Sequence, residues 1–242
     1  MYIQVNPAPP MKKIQFSCDE EIHPKMNNYP LTKEFMNCYN TTALIGVQKS
    51  GKSSLMVNFV TSFYKKCFQY IFIIIPESSR ASLKNDIFGK NLPKDQLFEV
   101  LDENTINELY ERLKRNSANN HKSLIIYDDV QSQLKNAKVL KSLKHIISNQ
   151  RHLKVVNLIL LQNFQALHKS LRELINNVII FKLGKSQTEK LFNEVIETQR
   201  DKYDDIRRLV FDEPHNWLFI NIKSQRMFKG FNEIICDEDD DE

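Results

Sequence analysis

Gly46, Val47, Gln48, Lys49, Ser50, Gly51, Lys52 and Ser53 fit the spacing G-x-x-x-x-G-K-[ST]. They follow the apolar run Ala43-Leu44-Ile45 and precede the helix-like stretch Ser54-Leu55-Met56-Val57-Asn58-Phe59-Val60. Strand, loop and helix in that order supply what phosphate binding needs. Glycines let the backbone turn tightly enough for consecutive N–H groups to point at one anion, and the following helix offers its positive end to the same point. In this arrangement residues 46 to 54 cradle a nucleoside triphosphate such as ATP; Lys52 reaches the β- and γ-phosphates and the Ser53 hydroxyl ligates Mg2+. The chain has five glycines, two of them at this spacing before Lys-Ser. The plain alternative is an ordinary glycine turn.

Ser123-Leu124-Ile125-Ile126-Tyr127-Asp128-Asp129 reads as a buried strand ending in two carboxylates. A carboxylate at the carboxyl end of a parallel strand opens on the same crevice as the phosphate loop. Asp128 could hold Mg2+ there through a water, and Asp129 could take a proton from an attacking water. The pair could also merely cap the next turn. Gln162 follows the run Val155 to Leu161, which is apolar except for Asn157. If that strand lies between the strands of the loop and the aspartates, the Gln162 amide reaches the γ-phosphate and orients water; otherwise it simply marks a strand end. Two carboxylates and an amide suit activation of water better than transfer to a small-molecule acceptor. Arg151 and Arg172 flank the same strand and its helix. Either could serve as an arginine finger, a cation usually supplied by a neighbouring subunit to neutralise charge on the γ-phosphate, or could lie solvated at the surface.

The elements that must position these residues alternate along the chain. Strand-like runs fall at about 41–45, 70–75, 123–129, 155–161 and 178–181, and the second is stopped by Pro76. Their nearly unbroken apolar character indicates strands buried on both faces of a parallel sheet. Helical patterns are expected from Lys52 to about Lys66, over Thr105–Lys114 with a break at Asn116–Asn120, from about Ser132 to Ile147, through Leu167, Leu171 and Leu174, and as one helix from Ser186 to Leu209. Residues 77–104 read as a long irregular connection, and 217–231 as a hairpin around Ser224-Gln225. The expected fold class is α/β: a P-loop NTPase with a mostly parallel central sheet of five core strands, helices on both faces and a C-terminal β-hairpin. The expected organisation is a Pro-rich N-terminal arm over 1–38, an ATPase domain over 39–232 and an acidic C-terminal tail over 233–242.

Composition narrows the function classes. The formal charge is +4, and without the six acidic residues 237–242 it is +10. A basic body is compatible with a polyanion partner. Lys135, Lys138, Lys141 and Lys144 recur every third residue, so they either line a DNA path or form a solvated helix face. Cys18, Cys38, Cys67 and Cys236 have no C-x-x-C pairing and no ligand-like spacing with histidine, which argues against a zinc site or disulfide framework. The first residues lack the apolar core of a signal peptide, and no run approaches the ~18 residues of a membrane span. The expectation is a protein with no membrane span in a reducing compartment.

The ordered set Gly46 to Ser53, Ile73-Ile74-Ile75-Pro76, Ile125-Ile126-Tyr127-Asp128-Asp129-Val130, Arg151-His152-Leu153 and Leu160-Leu161-Gln162 resembles the genome-packaging ATPases of poxviruses, giant DNA viruses and virophages, in the FtsK/HerA superfamily of DNA-pumping motors. The resemblance spans about residues 40 to 185. It implies that Lys52 and Ser53 bind nucleotide and metal, that Asp128 supports Mg2+, that Asp129 stands at the catalytic acid and that Gln162 senses the γ-phosphate. It implies an arginine finger at Arg151 or, as second choice, Arg172. It further implies a homo-oligomeric ring that threads double-stranded DNA into a preformed capsid, viral capsid or portal-like vertex proteins as partners, and a location in the host cytoplasm at viral factories or in the virion. The alternatives are a P-loop helicase or helicase loader in viral DNA replication and a slow ATP-switched scaffold protein.

Overall fold

The computed structural model describes residues 39–63, 67–81, 92–197, 200 and 202–235. The Pro-rich arm over 1–38 and the acidic run over 237–242 lie outside the described residues. Six parallel strands form the centre: β1 (Thr41–Ile45), β2 (Tyr70–Ile74), β3 (Leu97–Phe98), β4 (Ser123–Asp128), β5 (Val155–Leu161) and β6 (Asn177–Phe181). Three antiparallel strands, β7 (Trp217–Asn221), β8 (Met227–Lys229) and β9 (Asn232–Ile234), extend one side. The order across the sheet is β3-β2-β4-β5-β1-β6-β7-β8-β9. The expected α/β fold is present, with its five core strands and its C-terminal hairpin. Two strands were not expected. Short β3 lies within the segment read as irregular, and β9 takes in Glu233 and Ile234, where the acidic tail was expected to begin. Arg226 beside β8 donates to both oxygens of Glu233 on β9, at 2.7 and 2.8 Å.

Among the described residues the α-helices are α1 (Lys52–Asn58), α2 (Glu77–Ala81), α3 (Glu103–Ala118), α4 (Ala137–Ser148), α5 (Lys169–Arg172), α6 (Lys185–Val195) and α7 (Lys202–Val210). On one face of the sheet, Leu109 of α3, Leu143 of α4, Phe192 of α6 and Ile206 of α7 pack with Ile125, Ile159 and Ile180. On the other, Met56 of α1 and Phe59 meet Leu44, Ile126, Leu160 and Phe181. Successive strand residues alternate between the faces. Asp128, two residues past Ile126, therefore turns towards α1, and Gln162 leaves its strand two residues past Leu160. Among the described residues no helix is long and apolar enough to cross a membrane.

Several helix ends differ from the sequence reading for local reasons. After Asn58 the chain passes into a π-helical turn over Phe59–Phe63, a wider winding that favours functional surroundings. The helix expected from Ser132 is split: Asn136 accepts from the N–H groups of Lys138 and Val139 at 2.9 and 3.4 Å and caps a new helix. The break expected at Asn116 comes later, since α3 runs to Ala118. Residues 186–209 are not one helix. The Gln225 side chain accepts from the Glu197 N–H at 2.9 Å and donates to the Val195 carbonyl at 3.3 Å, satisfying from another element the groups a continuing helix would use.

Polar side chains pin the amino ends of the central strands. Asn157 of β5 donates to Thr41 Oγ1 of β1 at 3.2 Å, and Asn177 of β6 donates to Thr42 Oγ1 at 3.2 Å. Thr41 donates its hydroxyl to Gln150 Oε1 and its N–H to Asn176 Oδ1, both at 2.8 Å. All four strand residues, Thr41, Thr42, Asn157 and Asn177, are buried. A register slip would strand these groups without partners, at a cost of roughly 1–3 kcal/mol for each. The pairing Thr41 with Asn157 and Ile45 with Leu161 is thereby fixed, and with it the level at which β1 and β5 end.

Candidate active site

Gly46 continues the pairing of β1, its N–H donating to the Leu161 carbonyl at 3.1 Å. The loop then doubles back so closely that a Cβ on Gly46 would sit 2.5 Å from Ser50 Oγ and 2.9 Å from Phe181 Cβ. Gly51 caps α1 at φ +107, a conformation only glycine adopts readily. No side chain caps α1, so its first N–H groups open on the cleft in front of the loop. Lys52 folds back within the loop, its ammonium donating to the Gly46 and Val47 carbonyls at 2.6 and 2.9 Å. Burial draws its pKa below the usual lysine value, against the opposing pull of Asp128 and Asp129.

Asp128 ends β4 level with Leu160 of β5. Burial and, second, the neighbouring Asp129 charge raise its pKa to about 6; Lys52, a hydrogen bond from Ser53 and the Asp129 N–H act the other way. Asp129 leaves the strand at φ +55. This left-handed turn, which Asp tolerates better than most residues, sends its carboxylate elsewhere than that of Asp128, and Ser79 donates to its Oδ2 at 2.7 Å. β5 does lie between β1 and β4, and one cleft of about 430 Å3 is lined by Lys52, Ser53, Ser79, Asp128, Asp129 and Gln162. The donors there suit Mg2+. Ser53 and Asp128 offer hard oxygens already in contact, and a half-buried carboxylate raised to about 6 beside a second one is a group a cation would relieve. A second cleft of about 480 Å3 opens on the other side of the loop, lined by residues 49–55 with Asn58, Phe181, His215 and Trp217.

A family model described as Poxvirus A32 protein matches residues 31–242. The chain belongs to that family. No curated protein matches it by sequence. Among solved structures it is similar to B204, the DNA-packaging ATPase of Sulfolobus turreted icosahedral virus, at 19% identity over 80% of this chain and 97% of that one, TM-score 0.62. It is also similar to the genome-packaging NTPase B204 of Sulfolobus turreted icosahedral virus 2 in complex with ATP-gammaS, at 16% identity over 78% and 95% of the two chains, TM-score 0.61. The cytoplasmic domain of the type VII secretion ATPase EccC of Thermomonospora curvata shares the fold at 12% identity over 82% of this chain and 24% of that one, TM-score 0.52. The resemblance to poxvirus-type packaging ATPases is borne out, and this A32-family chain is a nucleotide-binding P-loop ATPase.

The arginines of the A32-family chain lie apart from the cleft. Arg151 is exposed in the turn before β5, at the amino edge of the sheet, whereas the loop, Asp128 and Gln162 stand at the carboxyl edge. Seven strand residues separate the two edges by roughly 20 Å. Arg172 is engaged within its own chain: it donates to Glu194 at 2.6 Å and to the Leu167 carbonyl at 2.5 Å, lies 5.8 Å over the Phe164 ring, and its side chain is 14% exposed. It braces the turn that follows Gln162. Lys138, Lys141 and Lys144 line a groove between α3 and α4 with Tyr110 and His145, and Lys138 pairs with Glu103 at 3.1 Å.

Ser79, His215 and the Phe181–Trp217 pair were missed in the sequence. The signal available for Ser79 was position alone, just past Pro76 at the carboxyl end of a parallel strand.

Asp128 yields a pH test. Its raised pKa means the folded protein holds the Asp128 proton more tightly than the unfolded chain, so its favourable contribution is complete below about 3.8 and lost as pH rises through about 6. In metal-free, nucleotide-free protein, Asp128→Asn should match wild type near pH 4 and be the more stable by up to about 3 kcal/mol at pH 7, at ~1.4 kcal/mol per pH unit. Urea denaturation across that range measures it. A stability difference that does not change with pH would contradict the burial argument.

Proposed function

We propose that this protein is an ATP-driven translocase that packages double-stranded viral DNA into a preformed capsid as a ring of identical subunits, in the host cytoplasm. One observation carries the reading: Lys52, Ser53, Asp128, Asp129 and Gln162 converge on one cleft at the carboxyl edge of a sheet whose fold is that of a DNA-packaging ATPase, in a chain of the A32 family. The viral capsid or vertex proteins are the second partner this function requires.

Each residue has a task set by its place. The loop N–H groups and Lys52 hold the phosphates, the ammonium leaving the Gly46 and Val47 carbonyls for the β- and γ-phosphate oxygens. Ser53 and Asp128 would hold Mg2+, which when bound would offset the negative charge developing on the phosphates. Gln162 orients a water against the γ-phosphorus. As the new P–O bond forms and the bond to the β-phosphate oxygen breaks, Asp129 accepts the proton of that water, giving ADP and phosphate. Ser79 positions Asp129 by its hydrogen bond to Oδ2. The distance of Arg151 from its own cleft, and the engagement of Arg172 with Glu194, favour Arg151 of a neighbouring subunit as the finger.

Linear duplex DNA should raise steady-state ATP turnover severalfold. Turnover indifferent to duplex, or coupled to strand separation, would count against a packaging motor.

Arg151→Ala subunits should bind ATP yet lose about a thousandfold or more in turnover. Mixed with inactive Lys52→Ala subunits, they should recover part of the activity, because some interfaces then join an intact loop to an intact arginine. Full DNA-stimulated turnover by Arg151→Ala alone would place the finger elsewhere.

A further inference from the structure

The phosphate loop divides two clefts, and only one of them is used by the hydrolytic residues. Lys49, Lys52 and Ser53 line both. β1 lies between β5 and β6. The cleft holding Asp128 and Gln162 is on the β5 side, and a triphosphate whose last phosphate sits there must leave the loop towards β6. What it meets there is built from an unusual juxtaposition. β7 runs antiparallel to β6, so its first residue, Trp217, pairs with the last residue of β6, Phe181, at the carboxyl edge. Together they form an apolar floor on the α1 face. Phe59 and Phe231 brace the Trp217 ring in edge contacts at 5.9 and 5.4 Å between centroids.

Above that floor stands His215. It is exposed, and its backbone is held at φ +66, in the left-handed region that a non-glycine residue occupies at a cost. Its Nδ1 lies 2.9 Å from the Ser50 carbonyl, and a Cβ on Gly51 would come within 3.3 Å of the same nitrogen. A carbonyl only accepts, so Nδ1 carries a proton and donates, fixing the ring against the phosphate loop. A strained backbone and a bond to the loop thus hold a flat aromatic ring at the mouth of a cleft of about 480 Å3, within the usual range for small-molecule sites. Asn58, exposed on α1 six residues past Lys52, lines the same cleft. It is the one lining side chain with a donor and an acceptor side by side, the pattern that matches N6 and N7 of adenine and is only half satisfied by guanine.

We propose that this second cleft is the nucleobase subsite: the base stacks on His215 over the Phe181–Trp217 floor, and Asn58 reads its edge in favour of adenine. The proposal rests on the reading of the loop as the ATP site and adds what recognises the rest of the nucleotide. The protein's single tryptophan is Trp217, so the cleft carries its own reporter.

The test uses the full chain with Mg2+ and compares ATP, GTP and inorganic tripolyphosphate, reading Trp217 emission together with displacement of radiolabelled ATP. ATP and tripolyphosphate should both displace the label, and only ATP should change the emission. His215→Ala should weaken ATP about tenfold, as loss of one base–aromatic stack does, and leave tripolyphosphate within about twofold. Asn58→Ala, a change on an exposed helix face, should narrow the preference for ATP over GTP. The subsite is overturned if tripolyphosphate alters the emission as ATP does, or if His215→Ala weakens both ligands equally. Failure of wild-type protein to bind either ligand would instead remove the phosphate-loop reading, and the subsite with it.

Discussion

The register of β4, β5 and β1 is the constraint on which the rest depends. Three parallel strands end within one residue of each other, because Asp128 pairs with Leu160 and Ile45 with Leu161. That alignment brings a loop, a carboxylate and an amide, far apart in sequence, to one edge. It is held from the opposite end of the sheet, where buried Asn157 and Asn177 donate to Thr41 and Thr42. Apolar strands packed on both faces would tolerate sliding; amides that lose their partners would not. The polar layer at the amino edge thus acts on the site from a full strand length away.

At the carboxyl edge the same alignment creates an electrostatic load. Asp128 is half-buried next to Asp129, and Lys52 and Ser53 offset the charge only in part. Lys52, for its part, donates to the Gly46 and Val47 carbonyls of the loop. These groups are arranged for ligands of both signs, a cation beside the carboxylates and phosphates beside the ammonium and the loop N–H groups. The adjacent aspartates differ because the backbone turns over between them. One stays on the strand and faces α1; the other is carried off at φ +55 to Ser79.

Much of this was legible in the sequence. β1, β2, β4, β5 and β6 announce themselves because strands buried on both faces need continuous apolar runs, and the phosphate loop because its chemistry tolerates few residue types at Gly46, Gly51, Lys52 and Ser53. The illegible parts depend on contacts between distant residues. Gln225 ends α6 from another element, and nothing between residues 186 and 209 encodes that. His215 gains its meaning only when an antiparallel strand brings its loop against Ser50. The arginines show the same limit: their proximity to β5 in sequence said nothing of which edge of the sheet each would occupy, or that Arg172 would be taken up by Glu194.

The most direct test of the account is the division of labour between the two adjacent carboxylates, measured as Mg·ATP affinity and single-turnover hydrolysis in Asp129→Asn and Asp128→Asn. The account predicts that Asp129→Asn keeps nucleotide affinity within about threefold while hydrolysis falls roughly a hundred- to ten-thousand-fold, and that Asp128→Asn loses Mg2+-dependent affinity as well. Wild-type hydrolysis by Asp129→Asn, or an equal loss of binding in both variants, would contradict it.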